Sequence, residues 1–248
     1  MRLWYDVHGD PAAPVLVLPC SLGTSRELWD PAPYAQRFRV LRYEHRGHGE
    51  SEAPPGPYTM EELANDALAL LDELAFVRVS WLGLSLGGMV AMWIAVHAPE
   101  RVDRLVLACT SARVPSPRAY AERADVVRAQ GVEPVADAVL SRWFTPEAPA
   151  DLRERFRAIL VATPTEGYAG CCDALAAWDF RKRLTDVAAP TLVLAGAEDQ
   201  ANPSGDTDLL AARIPGARHA VLEGAAHLAN LERPTAFADA ALAHLEAA

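Results

Sequence analysis

The chain reads as an α/β protein, with a mostly parallel sheet, helices on both of its faces and a helical block inserted before the last strands. Three features carry that reading. Short β-rich runs alternate with helical runs along most of the sequence, the pattern of parallel strands joined by crossover helices. About eighty residues between Ala108 and Thr191 break the alternation, with helical periodicity and almost no strand signal. Ahead of that block, Val79-Ser80-Trp81-Leu82-Gly83-Leu84-Ser85-Leu86-Gly87-Gly88 runs as an apolar strand through Gly-x-Ser-x-Gly into a helix-like stretch over 89–98.

In chain order, strands are expected at 3–7, 15–18, 39–43, 77–82, 104–108, 191–194 and 219–222, each a short run rich in Val and Leu. Thr59-Met60-Glu61-Glu62 is a capping box. The Thr59 hydroxyl can accept the N–H of Glu62 while Glu62 reaches back, so a helix is expected from there to about Leu74. Pro234 suits the first turn of a closing helix over 234–245, because its fixed φ is already helical. In the late block, helical periodicity runs over 117–130, 135–143 and 152–162. The block is too long for a loop and too interrupted by Pro and Gly for one helix. It is expected to form a cap above the carboxyl edge of the sheet, so that 1–110 and 184–248 make the core and 111–183 the inserted cap.

Composition excludes several classes of function. With 248 residues, 51% of them hydrophobic, the chain can bury a full-sized core. No run approaches the length of a membrane span, and Met1-Arg2-Leu3-Trp4-Tyr5-Asp6 lacks the apolar centre of a signal peptide, so a cytoplasmic location without a membrane partner is expected. Cys20, Cys109, Cys171 and Cys172 form no Cys-x-x-Cys pair, and adjacent Cys171 and Cys172 are poorly placed to bridge each other. Neither a disulfide scaffold nor a zinc site is indicated. The net charge of −10, with no basic stripe, argues against a nucleic acid partner. It would also repel an anionic small molecule, which would need a local cationic pocket.

Chemistry enters at Ser85. A serine hydroxyl is a poor nucleophile unless it is held exposed beside a base, and a sharp strand-to-helix turn does that holding. Glycines two before and two after Ser85 let such a turn close without Cβ clashes, and Gly88 allows close helix packing. Among seven histidines, His8, His97, His219 and His244 read as surface or capping residues, and His45 and His48, in a glycine-bearing turn, as structural ones. His227 follows a strand and the segment Glu223-Gly224-Ala225-Ala226, where a loop at the sheet edge could present a base to Ser85. The acid should leave a strand between the two. Asp199, three residues past the glycine that ends the strand at 191–194, fits; Glu198 is its rival, while Asp206 and Asp208 read as helix N-terminal charges. The order Ser85, Asp199, His227 is that expected of an α/β-hydrolase. The backbone N–H groups of Leu86, just after the nucleophile, and of Leu22, in the turn Pro19-Cys20-Ser21-Leu22-Gly23, are the candidate oxyanion donors.

Beyond the fold, a resemblance to one family covers nearly the whole chain. Arg42-Tyr43-Glu44-His45-Arg46-Gly47-His48-Gly49-Glu50-Ser51, the turn from Gly83 to Gly88, Arg142-Trp143-Phe144-Thr145-Pro146, Ala162-Thr163-Pro164-Thr165-Glu166-Gly167-Tyr168-Ala169-Gly170-Cys171-Cys172 and Ala225-Ala226-His227-Leu228-Ala229-Asn230 together resemble the 3-oxoadipate enol-lactonases. The cap segments are the specific part. Glu44 stands where Asp is common, Leu86 where Met is common, and Cys20 where Asn is expected. The resemblance implies hydrolysis of an enol-lactone from aromatic catabolism to 3-oxoadipate, with no metal or cofactor. It also implies a substrate carrying a free carboxylate. Arg142, beside Trp143, is the first candidate to grip it, with Arg181-Lys182-Arg183 as the alternative cluster; Trp143 and Trp178 are candidates to line the pocket. Two other readings stay open: a hydrolase of another ester, lactone or carbon–carbon bond, and a ligand-binding receptor on a hydrolase scaffold. An enzyme should turn over many times, whereas a receptor should stall after about one event.

Overall fold

The computed structural model describes residues 1–247. Seven strands form one sheet in the order β1-β3-β2-β4-β5-β6-β7, with β1 at Tyr5–His8, β2 at Val15–Pro19, β3 at Arg39–Tyr43, β4 at Val79–Leu84, β5 at Val102–Ala108, β6 at Thr191–Gly196 and β7 at Arg218–Leu222. Every neighbouring pair is parallel except β1 and β3. All seven expected strands are present, with ends shifted by a few residues; Val77, 77% exposed, lies outside β4.

Side-chain alternation splits the core in two. Leu16, Leu18, Val40, Leu82, Val106 and Leu192 pack on one face of the sheet, and Val17, Leu41, Trp81, Leu105 and Val193 on the other. Because β4 and β6 are covered on both sides, they read as continuous apolar runs.

The helices are α1 (Ala32–Ala35), α2 (Met60–Glu73), α3 (Leu86–His97), α4 (Pro117–Gln130), α5 (Ala136–Trp143), α6 (Ala150–Val161), α7 (Thr165–Ala176), α8 (Ser204–Arg213), α9 (Ala229–Glu232) and α10 (Pro234–Leu245). Core side chains of α2, α3 and α8 cover the Val17 face, and those of α1 and α10 the Leu16 face. The capping box forms: Glu62 N–H donates to Thr59 Oγ1 at 3.1 Å, and Thr59 N–H donates to Glu62 Oε2 at 2.8 Å.

Helices α4 to α7 fall between β5 and β6 as an inserted cap. At its neck, Phe180 N–H donates to the Ala112 carbonyl at 2.7 Å and the Trp178 indole N–H to the Ser111 carbonyl at 2.9 Å. Helix α7 has no counterpart in the periodicity, because Gly167 and Gly170 weigh against a helix. Packing explains both glycines. A Cβ on Gly167 would overlap the Gly47 carbonyl oxygen, and one on Gly170 would lie 2.7 Å from the Tyr58 ring. Tyr58 N–H also donates to the Gly170 carbonyl at 3.3 Å, and Arg128 pairs with Asp173 between α4 and α7. The cap thus docks on the turn around Gly47 through backbone contact. Gly167→Ala is expected to force α7 off that turn and lower the melting temperature by about 3–8 °C. Thermal melting checks this, and a midpoint within about a degree of wild type would show that the contact is not tight.

Candidate active site

Strand β4 ends at Leu84 and α3 begins at Leu86, so Ser85 must turn the chain within one residue. It does so at φ 53° and ψ −118°, a conformation unfavourable for a residue with a side chain and held by its neighbours. Ser85 N–H donates to the Ala108 carbonyl at 2.9 Å, while its carbonyl accepts from Thr110 Oγ1 at 2.7 Å and from Met89 N–H at 3.0 Å. The flanking glycines are needed for space. A Cβ on Gly83 would overlap the Gly87 backbone, one on Gly87 would lie 2.8 Å from Pro19, and one on Gly88 2.9 Å from Thr110.

Asp199 and His227 meet at the carboxyl ends of β6 and β7. His227 Nδ1 lies 2.9 Å from Asp199 Oδ2, with the two side chains 5% and 1% exposed. Asp199 Oδ1 accepts the N–H groups of Ala201 at 2.8 Å and Asn202 at 3.0 Å, which fixes the carboxylate in its loop. An acid in this position makes Nδ1 the protonated nitrogen and leaves Nε2 free to accept. Glu198 is exposed and directs its backbone N–H to the Ala225 carbonyl at 2.9 Å, so its loop supports the histidine loop while its carboxylate points elsewhere. Asp206 is held above the usual carboxylate range by burial and then by the charge of Asp199.

The turn after β2 leaves one donor without an acceptor. Ser21 N–H bonds Thr24 Oγ1 at 2.7 Å, Gly23 N–H bonds His48 Nε2 at 3.0 Å and Thr24 N–H bonds the Ser21 carbonyl at 3.0 Å. Among the described residues, Leu22 alone in that turn keeps its N–H unbonded, and Leu22 lines the same cavity as Ser85 and His227. Leu86 opens α3, where a helix leaves its first N–H groups without intrahelical partners.

A pocket partly open to solvent lies between the cap and the core beside Ser85. The core supplies Leu22, Ser85 and His227; the cap supplies Arg142 and Trp143 from α5, together with Tyr120 and Arg123 from α4 and Tyr168 from α7. The last three were not singled out by motif, since only the packing of α4 against α7 turns them toward Ser85. Trp178 lies elsewhere, stacked on Phe180 at 4.7 Å between ring centroids and tied to the neck of the cap. Arg181 and Arg183 are paired with Asp179 and Asp186 outside the cavity.

One linking residue also escaped the sequence reading. Glu232 accepts the N–H of Thr145 at 2.8 Å and its hydroxyl at 2.7 Å through Oε1, and the N–H of Ala226 at 2.7 Å through Oε2. Leu228 N–H adds a bond to the Trp143 carbonyl at 3.0 Å. The Arg-Trp-Phe-Thr-Pro segment of the cap is thereby held to the loop that carries His227.

His45 and His48 are buried and structural. His48 Nδ1 faces the Arg46 carbonyl at 3.2 Å, and the His45 ring packs edge-on against Tyr43 with centroids 5.1 Å apart. Burial pushes His45 down to about 3 and His48 to about 4. The unfolded chain therefore takes up their protons first as pH falls below about 6.5, so the stability they leave intact above that value is lost progressively toward pH 4. At about pH 5 each neutral imidazole should cost about 2 kcal/mol relative to neutrality. Urea unfolding at about pH 7 and pH 5 should show the lower midpoint in acid, and equal midpoints would mean that these rings charge in the folded protein.

The profile of the alpha/beta hydrolase fold matches residues 13–234. The chain is 38% identical to 3-oxoadipate enol-lactonase 2 of Acinetobacter baylyi, over 96% of this chain and 90% of that one. The crystal structure of a hydrolase from Pseudomonas aeruginosa superposes with a TM-score of 0.94 at 44% identity, covering 99% of this chain and 94% of that one. The enol-lactonase from Burkholderia xenovorans superposes with a TM-score of 0.96 at 40% identity, covering 99% and 96%. The chain belongs to the α/β-hydrolase family, among relatives that include the 3-oxoadipate enol-lactonases, and is a hydrolase of ester or lactone bonds.

Proposed function

We propose that the protein hydrolyses 3-oxoadipate enol-lactone to 3-oxoadipate, in the breakdown of aromatic compounds, through an acyl-enzyme on Ser85. The observation that carries the reading is the hydrogen-bonded Asp199–His227 pair opening into the same capped cavity as Ser85 and the exposed guanidinium of Arg142. His227 Nε2 takes the Ser85 proton as Oγ attacks the lactone carbonyl. The N–H groups of Leu86 and Leu22 hold the oxyanion. The ring C–O bond then breaks and the enolate leaves, takes a proton and tautomerises to the ketone. An enolate is a far better leaving group than an alkoxide, so the demand on His227 as an acid is mild. Water, activated by His227, attacks the acyl-enzyme and frees the second carboxylate.

Arg142, exposed on the cavity wall and without an ion-pair partner among the described residues, draws the substrate carboxylate toward a protein of net charge −10. The test is a multiple-turnover assay on the enol-lactone beside a neutral ester. Strong preference for the lactone is expected, and Arg142→Ala should lower kcat/KM on it by about 3- to 10-fold, with a smaller loss on the neutral ester. Equal losses on both would remove Arg142 as an attractor, and a stall after one turnover would favour a receptor.

A further inference from the structure

The cavity is lined by a buried hydroxyl beside a guanidinium that no carboxylate holds. Tyr168 is fully buried, its side chain lines the cavity, and among the described residues its hydroxyl has the Arg123 guanidinium as its one hydrogen-bonding neighbour. A guanidinium can only donate, so the phenol O–H still has no acceptor among the described residues, and one from outside the chain would complete the pair. Close to it is Arg123, half-buried, with its guanidinium 4.8 Å from the centre of the Tyr120 ring. Other cap arginines are tied to carboxylates, Arg118 to Glu122, Arg128 to Asp173 and Arg157 to Glu133. Arg123 has no such partner among the described residues, and it lines the same cavity. Tyr168 is also the residue next to Gly167, whose contact with Gly47 seats α7 on the core. The hydroxyl therefore sits at a place set by backbone packing.

From this juxtaposition we infer that Tyr168 and Arg123 form the inner subsite for a substrate carboxylate, with Arg142 acting outside it in attraction and entry. The inference rests on the enol-lactone reading above and deepens it. A carboxylate placed there accepts the Tyr168 O–H and a guanidinium N–H of Arg123, so two neighbouring donors share one acceptor. Tyr120, stacked under the guanidinium, holds its plane. Charge contributed by a half-buried, hydrogen-bonded guanidinium resists salt, whereas attraction to an exposed one is screened. The two arginines therefore separate by experiment. The subsite also selects a substrate class: small lactones and esters with an anionic arm on the leaving-group side of the scissile bond.

The measurement is the ratio of kcat/KM for the enol-lactone with its carboxymethyl arm to that for the same ring carrying a methyl group instead. It is taken for wild type, Arg123→Gln, Tyr168→Phe and Arg142→Gln, at low salt and at about 0.5 M NaCl, with melting temperatures alongside. Adipate inhibition of neutral-lactone turnover is measured in parallel. Arg123→Gln is expected to lower the ratio by about 10- to 100-fold at both salt concentrations and to weaken adipate inhibition by a similar factor. Tyr168→Phe, which removes one oxygen and keeps the ring, should lower the ratio by about 5- to 20-fold. The Arg142→Gln effect should fade at high salt. If wild type favours the carboxylate-bearing lactone and both Arg123→Gln and Tyr168→Phe keep that preference, the subsite is overturned while the function stands. If wild type shows no preference at all, the enol-lactone reading fails and takes the subsite with it. Should Arg123→Gln prove unstable, the Tyr168→Phe ratio decides alone.

Discussion

Ser85→Ala is expected to reduce ester and lactone turnover by on the order of 10⁴- to 10⁶-fold while leaving the melting temperature within a few degrees of wild type. The size of the loss follows from the architecture. Ser85 carries the hydroxyl on the β4–α3 turn itself, and it shares the cavity with His227, the one histidine bonded to a buried carboxylate among the described residues. Without Oγ there is no acyl-enzyme, and only oxyanion stabilisation and binding remain to assist direct attack by water. The fold should tolerate the change, because the bonds that hold the turn, to Ala108, Thr110 and Met89, use the Ser85 backbone. Steady-state assays and thermal melting test both halves. Turnover within a few-fold of wild type would remove Ser85 as the nucleophile.

Asp199→Asn carries the second largest effect, a loss of about 10³- to 10⁴-fold in turnover. Volume and packing hardly change, so the penalty is one of proton placement. Asp199 Oδ1 is occupied by the N–H groups of Ala201 and Asn202, and these donors would keep the asparagine oxygen on their side. The amide would then present N–H to His227 Nδ1, forcing the proton onto Nε2 and leaving the ring unable to accept from Ser85. Glu198→Gln, at an exposed position, should alter turnover by less than about 3-fold. A larger loss at Glu198 than at Asp199 would exchange their roles.

The fold was legible because burial on both sides of the central sheet writes itself into composition. Strands β4 and β6 are apolar at nearly every position, and the capping box at Thr59 marks its helix by local bonds alone. The Ser85 turn was legible because part of its steric demand is local: a Cβ on Gly83 would overlap Gly87 four residues on, although Gly87 and Gly88 also face distant Pro19 and Thr110. Helix α7 was not legible, since its glycines answer clashes with Gly47 and Tyr58, more than a hundred residues away. Asp199 could be chosen by its place after a strand, yet what separates it from Glu198 is burial, and burial belongs to the folded loop.

By itself, then, the sequence determined the succession of the strands and of several helices, the position of the Ser85 turn, the inserted block of helices and the chain order of Ser85, Asp199 and His227. These are matters of periodicity, local sterics and strand ends, which act over a few residues. The tertiary structure alone decided which polar groups face the cavity. Arg123 and Tyr168 turn inward only because α4 packs on α7, Glu232 joins the cap to the histidine loop, and Gly23 finds its acceptor in His48. Each of those contacts depends on where distant backbone segments come to rest, and no local pattern specifies that distance.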